Sequence, residues 1–272
     1  MTLPWRPVYA VLEREVLRMF RQRTRLVSAM VRPLIWLLVI GAGFDAVLGQ
    51  AGGVGYQRFL IPGVLGMSLL FGAMLAALTM VYDKESGVMR MLIVAPFAHY
   101  WIVIAKMLAA ALAAILQALL LLILLAALGY LGAETRFGLL ALGLLATALA
   151  CAGIGMLVAA FTRTLDNFAA VMNFVIFPVF FLSGSLYPVS HLPAILKTVA
   201  LANPYTYGVD LLKHATLGVS PSGMGADFPA AVDLAVLAGF TLAALLVASW
   251  RFSRESAYEP MIHILTGKRG EG

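Results

Sequence analysis

Charge is what this chain has least of. Of 272 residues only 12% are Asp, Glu, Lys or Arg, while 62% are hydrophobic, and the mean hydropathy is +0.95. A soluble domain carries about twice that share of charge and fewer apolar residues, because its surface must be wetted. The few charges cluster between long uncharged runs, which excludes a water-soluble fold. Cysteine is nearly absent: a single Cys151 excludes an intrachain disulfide and a thiolate metal cluster, and its apolar surroundings suit a small packing residue. Gly267-Lys268 is followed by Arg269, so a phosphate-binding Gly-x4-Gly-Lys-Ser/Thr loop is missing and the chain is not expected to bind ATP or act as an enzyme. His-Glu-x-x-His and Cys-x-x-Cys are also missing, so no metal site is expected. Ser183, Ser185 and His191 lie close in sequence, but hydrolase triads are assembled in space, so their nearness is a poor argument for an intramembrane enzyme.

The uncharged runs are long enough to cross a membrane. A hydrocarbon core of about 30 Å takes roughly 20 helical residues, and the runs give six expected transmembrane helices at about 30–49, 59–82, 102–131, 138–161, 168–187 and 232–252. The first needs Arg32 to snorkel and Asp45 to reach the far headgroups. The expected fold is therefore an all-α integral membrane domain spanning 1–272, without an appended soluble domain. A cleaved signal peptide is not expected, because the first apolar run starts beyond residue 30 after a basic segment.

Placing both termini and the 83–100 and 162–167 loops on one side puts fifteen of the nineteen Lys and Arg there, leaving Arg58, Arg136, Lys197 and Lys213 opposite. That asymmetry predicts cytoplasmic termini. The net charge of +6 is then a membrane-flanking feature, and no nucleic-acid partner is expected.

Four features stand out from the hydrophobic background. Residues 8–27 read as an amphipathic interfacial helix: Val8, Leu12, Val16, Met19 and Phe20 share one face, while Arg14, Arg18, Arg21 and Arg25 repeat on the other, suited to acyl chains and anionic headgroups. The 83–96 loop places charges first, then Gly87 for a tight bend, then apolar residues up to Pro96, a pattern that fits a short surface helix. Gly143, Thr147, Cys151, Gly155 and Ala159 form a small-residue stripe for close helix packing. Finally, 188–215 is broken by Pro188, Pro193 and Pro204 into pieces that suit short re-entrant helices. Tyr187, Tyr205 and Tyr207 are expected there at headgroup level. The span centres are nearly uncharged, with Gln117 and Asn173 the main polar exceptions, which argues against ion coupling.

Two of these features together resemble the type-2 ABC transporter permeases, the membrane subunits of bacterial exporters. One is the loop carrying Glu85, Gly87, Arg90, Leu92 and Pro96. The other is the series Ser183, Gly184, Pro188, Leu192, Pro193, Asn203, Pro204, Thr206 and Tyr207, with Tyr205 inside it. Six spans, the leading amphipathic helix and cytoplasmic termini agree. The resemblance implies two copies of the permease, expected as a homodimer in the bacterial inner membrane. It also implies two separate ATPase subunits that hold the ATP and magnesium. In that scheme 83–96 is the coupling helix seated on the ATPase, the N-terminal helix braces it, and the 188–215 segment is an outer lid. The path for cargo runs along the dimer interface between spans one, two and five. Family cargoes include drugs, lipids and glycans, and the uncharged spans here suit an amphipathic or lipid-linked one, with Asn173, Phe177 and Phe181 as candidate path residues. The competing reading is a polytopic membrane protein without transport activity, an intramembrane enzyme or an assembly scaffold.

Overall fold

The computed structural model describes residues 5–21, 30–48, 55–88, 100–132, 134–217 and 225–265, and side chains within these up to residue 254, except for 5–8, 18–21 and 48. The described residues contain no β-strand. In chain order the helices are α1 (Trp5–Arg21), α2 (Met30–Val47), α3 (Tyr56–Glu85), α4 (Tyr100–Ala127), α5 (Phe137–Phe161), α6 (Leu165–Phe181), α7 (Ala194–Ala202), α8 (Pro204–Thr216) and α9 (Ala230–Leu265).

Five of these, α2, α3, α4, α5 and the Ala230–Arg254 part of α9, are long and apolar enough to cross a membrane. The expected span at 168–187 is represented by α6, whose 17 residues rise about 26 Å at 1.5 Å each. It stops at Phe181 for local reasons. Pro178 lies in its last turn, the Ser183 hydroxyl donates back to the Phe180 carbonyl at 2.6 Å, and Gly184 takes a φ of +76°, a conformation that ends helices because it crowds any Cβ.

The core is built around α3. It is apolar on every side, and a helix of that kind must be enclosed: 78% of its apolar window is buried, against 17% for α2 and for α9. Helices α2, α4, α5, α6 and α8 pack around it. The small-residue stripe of α5 is wholly buried and serves this packing. Its Gly143 faces Leu211 and Leu212 of α8, Gly155 faces Ala77 of α3, and Thr147 donates to the Gly208 carbonyl at 3.3 Å. Trp36, inside a π-helical turn of α2 (Trp36–Gly41), meets Phe180 and Phe181 of α6 edge-on, at 5.7 and 5.9 Å between ring centres. Asp45, expected to reach the far headgroups, accepts the Tyr56 backbone N–H at 2.7 Å. A first-turn amide of α3 has no partner within its own helix, and the carboxylate supplies one.

Candidate functional site at the two ends of the central helix

The end of α3 carries three consecutive charged residues, and each is tied to a different part of the fold. Asp83 is buried and receives Arg14 of α1 at 2.8 Å and Lys106 of α4. Lys106 also holds Glu15 of α1 at 2.7 Å, and Arg14 reaches Glu15 at 3.0 Å. The four charges sum to zero, which is the condition under which ions tolerate burial. The Lys106 side chain is 1% exposed and that of Asp83 3%. Partial burial pulls the Arg14 pKa down, but the carboxylates of Asp83 and Glu15 outweigh it and hold the group above its ordinary value.

Next, Lys84 donates to the Ala159 carbonyl at 3.0 Å and reaches that of Ala160 at 3.4 Å. These are late carbonyls of α5, where a cation complements the helix dipole. Glu85 accepts the Leu165 N–H at 2.9 Å, at the N-terminus of α6, where an anion is favoured for the converse reason. Gly87 follows at a φ of +75°, so the bend expected from the sequence is present.

Two of the expectations for α1 meet partners within the chain. Arg14, expected on headgroups, pairs with Asp83 while its side chain stays 42% exposed. The apolar face of α1 is also used within the protein, since Val11 and Leu12 pack on Trp101 and Ala105 of α4. Arg18 and Arg21 fall in the part of α1 where only the backbone is described, and Arg25, Arg90, Leu92 and Pro96 lie outside the described residues. Asp83 and Lys106 were legible only as the charges closing two apolar runs. Their position on either side of the 83–96 loop, with Glu13 and Glu15 among the arginines of α1, was the available signal for a network.

At the far end of α3 the broken segment is held by its own motif residues. Pro188 and Pro193 precede the short 3-10 turn Val189–His191 and α7. Asn203 caps α8, accepting the Tyr205 N–H at 3.1 Å while its amide donates to the Val179 carbonyl of α6 at 2.7 Å. Pro204 fills the first helical position, where a missing N–H costs nothing. Thr206 donates to the Ala200 carbonyl at 2.8 Å, and Tyr207 to that of Leu201 at 2.9 Å. Tyr187 donates to the Phe181 carbonyl, and partial burial raises its pKa. Asn203→Ala is expected to lower stability by about 1–3 kcal/mol, from the lost cap and the unpaired Val179 carbonyl. Thermal unfolding of the purified chain measures this.

Tyr205 departs from expectation. It is 0% exposed, turned into the protein rather than toward headgroups, because Gly66 of α3 leaves room for its ring. A few residues away, Gly63 lets the Ser185 backbone lie directly on α3. Ser183 and Ser185 are buried and 2.6 Å apart, whereas His191 turns to the neighbouring Ser190 at 3.3 Å, so the structure pairs neither of these serines with His191. On α6, Asn173 is exposed, as are Phe174 and Phe177 at 80% and 54%. Phe181 is half-buried, stacked on Phe177 at 6.2 Å.

The architecture agrees with what comparison with known proteins gives. The model of the ABC-2 type transporter family matches residues 6–217, from α1 through α8. Nodulation protein J of Rhizobium leguminosarum bv. trifolii is 31% identical over 196 residues, covering 71% of this chain and 74% of that protein. Nodulation protein J of Rhizobium meliloti is 28% identical over 217 residues, covering 79% and 82%. The inner membrane transport permease YadH of Escherichia coli K12 is 24% identical over 249 residues, covering 91% and 94%. An all-helical multi-pass chain whose matched region runs from the α1 charge network to the capped segment at the far end belongs to the ABC-2 type transporter family, as one of its membrane permeases.

Proposed function

We propose that the chain is the permease subunit of an ATP-driven exporter of the bacterial inner membrane. It works as a homodimer with two separate ATPase subunits, crosses the membrane six times with α6 as the fifth crossing, and keeps both termini in the cytoplasm. The observation that carries the reading is the triplet Asp83, Lys84 and Glu85. It fastens the root of the 83–96 segment to α1 and α4, to α5 and to α6 at once. A displacement applied to that segment by a partner would be passed to four helices without unfolding any of them, which is what a coupling helix with Glu85, Gly87, Arg90, Leu92 and Pro96 requires. Within it Glu85 acts through α6, as a positioning residue.

The proposed cargo path follows from burial. Because α3 is enclosed by its own chain, the apolar surface turned outward lies on the helices around it, α2 and α6 among them. The exposed face of α6 includes Asn173 between greasy neighbours. An amide facing acyl chains would lose its hydrogen bonds to water without replacement, so this face is read as meeting a second copy and the cargo between the copies. Phe177 and Phe181 supply an apolar wall for an amphipathic, lipid-linked, drug-like or glycan-bearing cargo. The far segment, with Ser183, Gly184, Pro188, Pro193, Asn203, Pro204, Tyr205 and Tyr207, is the outer lid.

Purification of the tagged chain from its host in mild detergent tests the class: a stoichiometric P-loop ATPase should accompany it, and a clean homo-oligomer without one would favour the scaffold reading. The interface is tested separately. Asn173→Cys should give a cross-linked dimer with a short bismaleimide, against a native background in which the only other thiol, Cys151, is buried. Exclusively monomeric product would place this face in lipid.

A further inference from the structure

Where α8 meets the first turn of α9, at the far end of α3, three carboxylates converge. Two of them are fully supplied with donors. Asp227 accepts the backbone N–H groups of Val189 at 3.4 Å and Ser190 at 3.3 Å, and receives Lys213 at 3.0 Å. Asp210 accepts the N–H of Asp227 at 2.7 Å and of Phe228 at 2.9 Å, with Lys213 at 3.7 Å. Asp233 has none. It is 0% exposed, and neither of its oxygens has a hydrogen-bond partner. What faces it is His214, whose Nε2 lies 3.7 Å from Asp233 Oδ2 and 4.0 Å from Asp210 Oδ2. The imidazole donates from Nε2 to the Phe228 carbonyl at 2.7 Å, and its side chain is 26% exposed, so the group opens to the outside on that edge.

Electrostatics asks for one more cation here. Three carboxylates face a single lysine, Lys213, in a place where Asp210 and Asp233 are both buried. A buried carboxylate without a donor is among the costliest arrangements a fold can hold, and a bound cation is a standard remedy.

We infer that Asp210, His214 and Asp233 form a divalent metal site of the zinc type. One ligand atom from each of the three lies within 4.8 Å of the others. One imidazole nitrogen and two carboxylate oxygens are ligand types that Zn²⁺ takes, and three of them leave a fourth position for water. Tetrahedral bonds of about 2.1 Å place ligand atoms about 3.4 Å apart, so the Nε2 distances need to contract only slightly. The ring gives up the Phe228 carbonyl and carries its proton on Nδ1. The Asp227 and Phe228 amides keep orienting Asp210, and Lys213 stays on Asp227. The dication offsets the surplus of carboxylates, and its bonds clamp α8 to α9. The pattern escaped the sequence reading because Asp210 and His214 share a face at i and i+4, while the third ligand comes from another helix.

The test uses the full chain in nanodiscs, stripped with a chelator and titrated with ZnCl₂. Expected are one zinc per chain by elemental analysis and a rise in melting temperature. His214→Gln and Asp233→Asn should each weaken zinc binding by about two orders of magnitude or more. Asp233→Asn should melt no lower than the metal-free wild type, because a neutral amide replaces a carboxyl that has no donor, and this shows that the variant folds. A wild type that retains no zinc and does not shift would overturn the site. Equal zinc retention by both variants would overturn it too, by placing the metal on other residues. None of these outcomes depends on the transport reading.

Discussion

Lys106→Met should destabilise the chain by about 3–5 kcal/mol, the usual cost of removing one partner from a buried ion group. Methionine matches the length of the lysine stem, so little packing is lost and the effect isolates the charge. Asp83 and Glu15 would both lose the cation that holds them, leaving Arg14 to serve two carboxylates from a half-exposed position. The melting temperature in detergent should fall, and α1 should become a target for limited proteolysis, since the network and the small Val11–Ala105 cluster are what dock it. Replacing Lys106 by Met together with Asp83→Asn and Glu15→Gln should recover much of the loss, because no buried charge is then left unpaired. If Lys106→Met melts with the wild type, the ion group is not what fixes α1 to the bundle.

The second large effect is expected at Gly63→Val. A Cβ at this position would lie 2.5 Å from the Ser185 carbonyl oxygen and 3.0 Å from its Cα, and these are backbone atoms that cannot turn aside. Overpacking of this kind costs about 1–3 kcal/mol, and the strain falls on the turn at 183–187 rather than on the long helix. In a Ser185→Cys background, where the thiol replaces a side chain that is 1% exposed, Gly63→Val should therefore open residue 185 to maleimide as well as lower the melting temperature. Gly239→Ala is the control: nothing lies within 4 Å of its Cβ, and in a helix interior alanine is favoured over glycine by about 0.5–1 kcal/mol. Unchanged labelling and stability in the Gly63 variant would contradict the close approach of this turn to α3.

Much of the architecture was legible in the sequence. The apolar runs marked the helices, Gly87 marked the bend after α3, and the prolines marked the starts of the 3-10 turn, α7 and α8. These signals are local: a helix needs about 20 apolar residues to span hydrocarbon, and a proline or a positive φ acts within one turn. The 168–187 run shows where local reading fails. Hydropathy continues past Phe181, but Pro178, the Ser183 hydroxyl and Gly184 end the helix there.

Composition therefore determined by itself that this is an all-helical membrane chain, and the order of its residues determined where its helices and breaks fall. The tertiary structure decided which partners the charges take. Arg14 meets Asp83 across 69 residues of sequence, Lys106 meets Glu15 across 91, Glu85 caps a helix 80 residues away, and Asp233 turns toward His214. The physical reason is that hydropathy measures depth along one axis. It says how far into the membrane a residue sits and nothing about its direction around the helix. For helices as uniformly apolar as α3 and α5, that rotation is set by where small residues such as Gly63, Gly66 and Gly155 let neighbours approach, and by which buried charge finds its opposite.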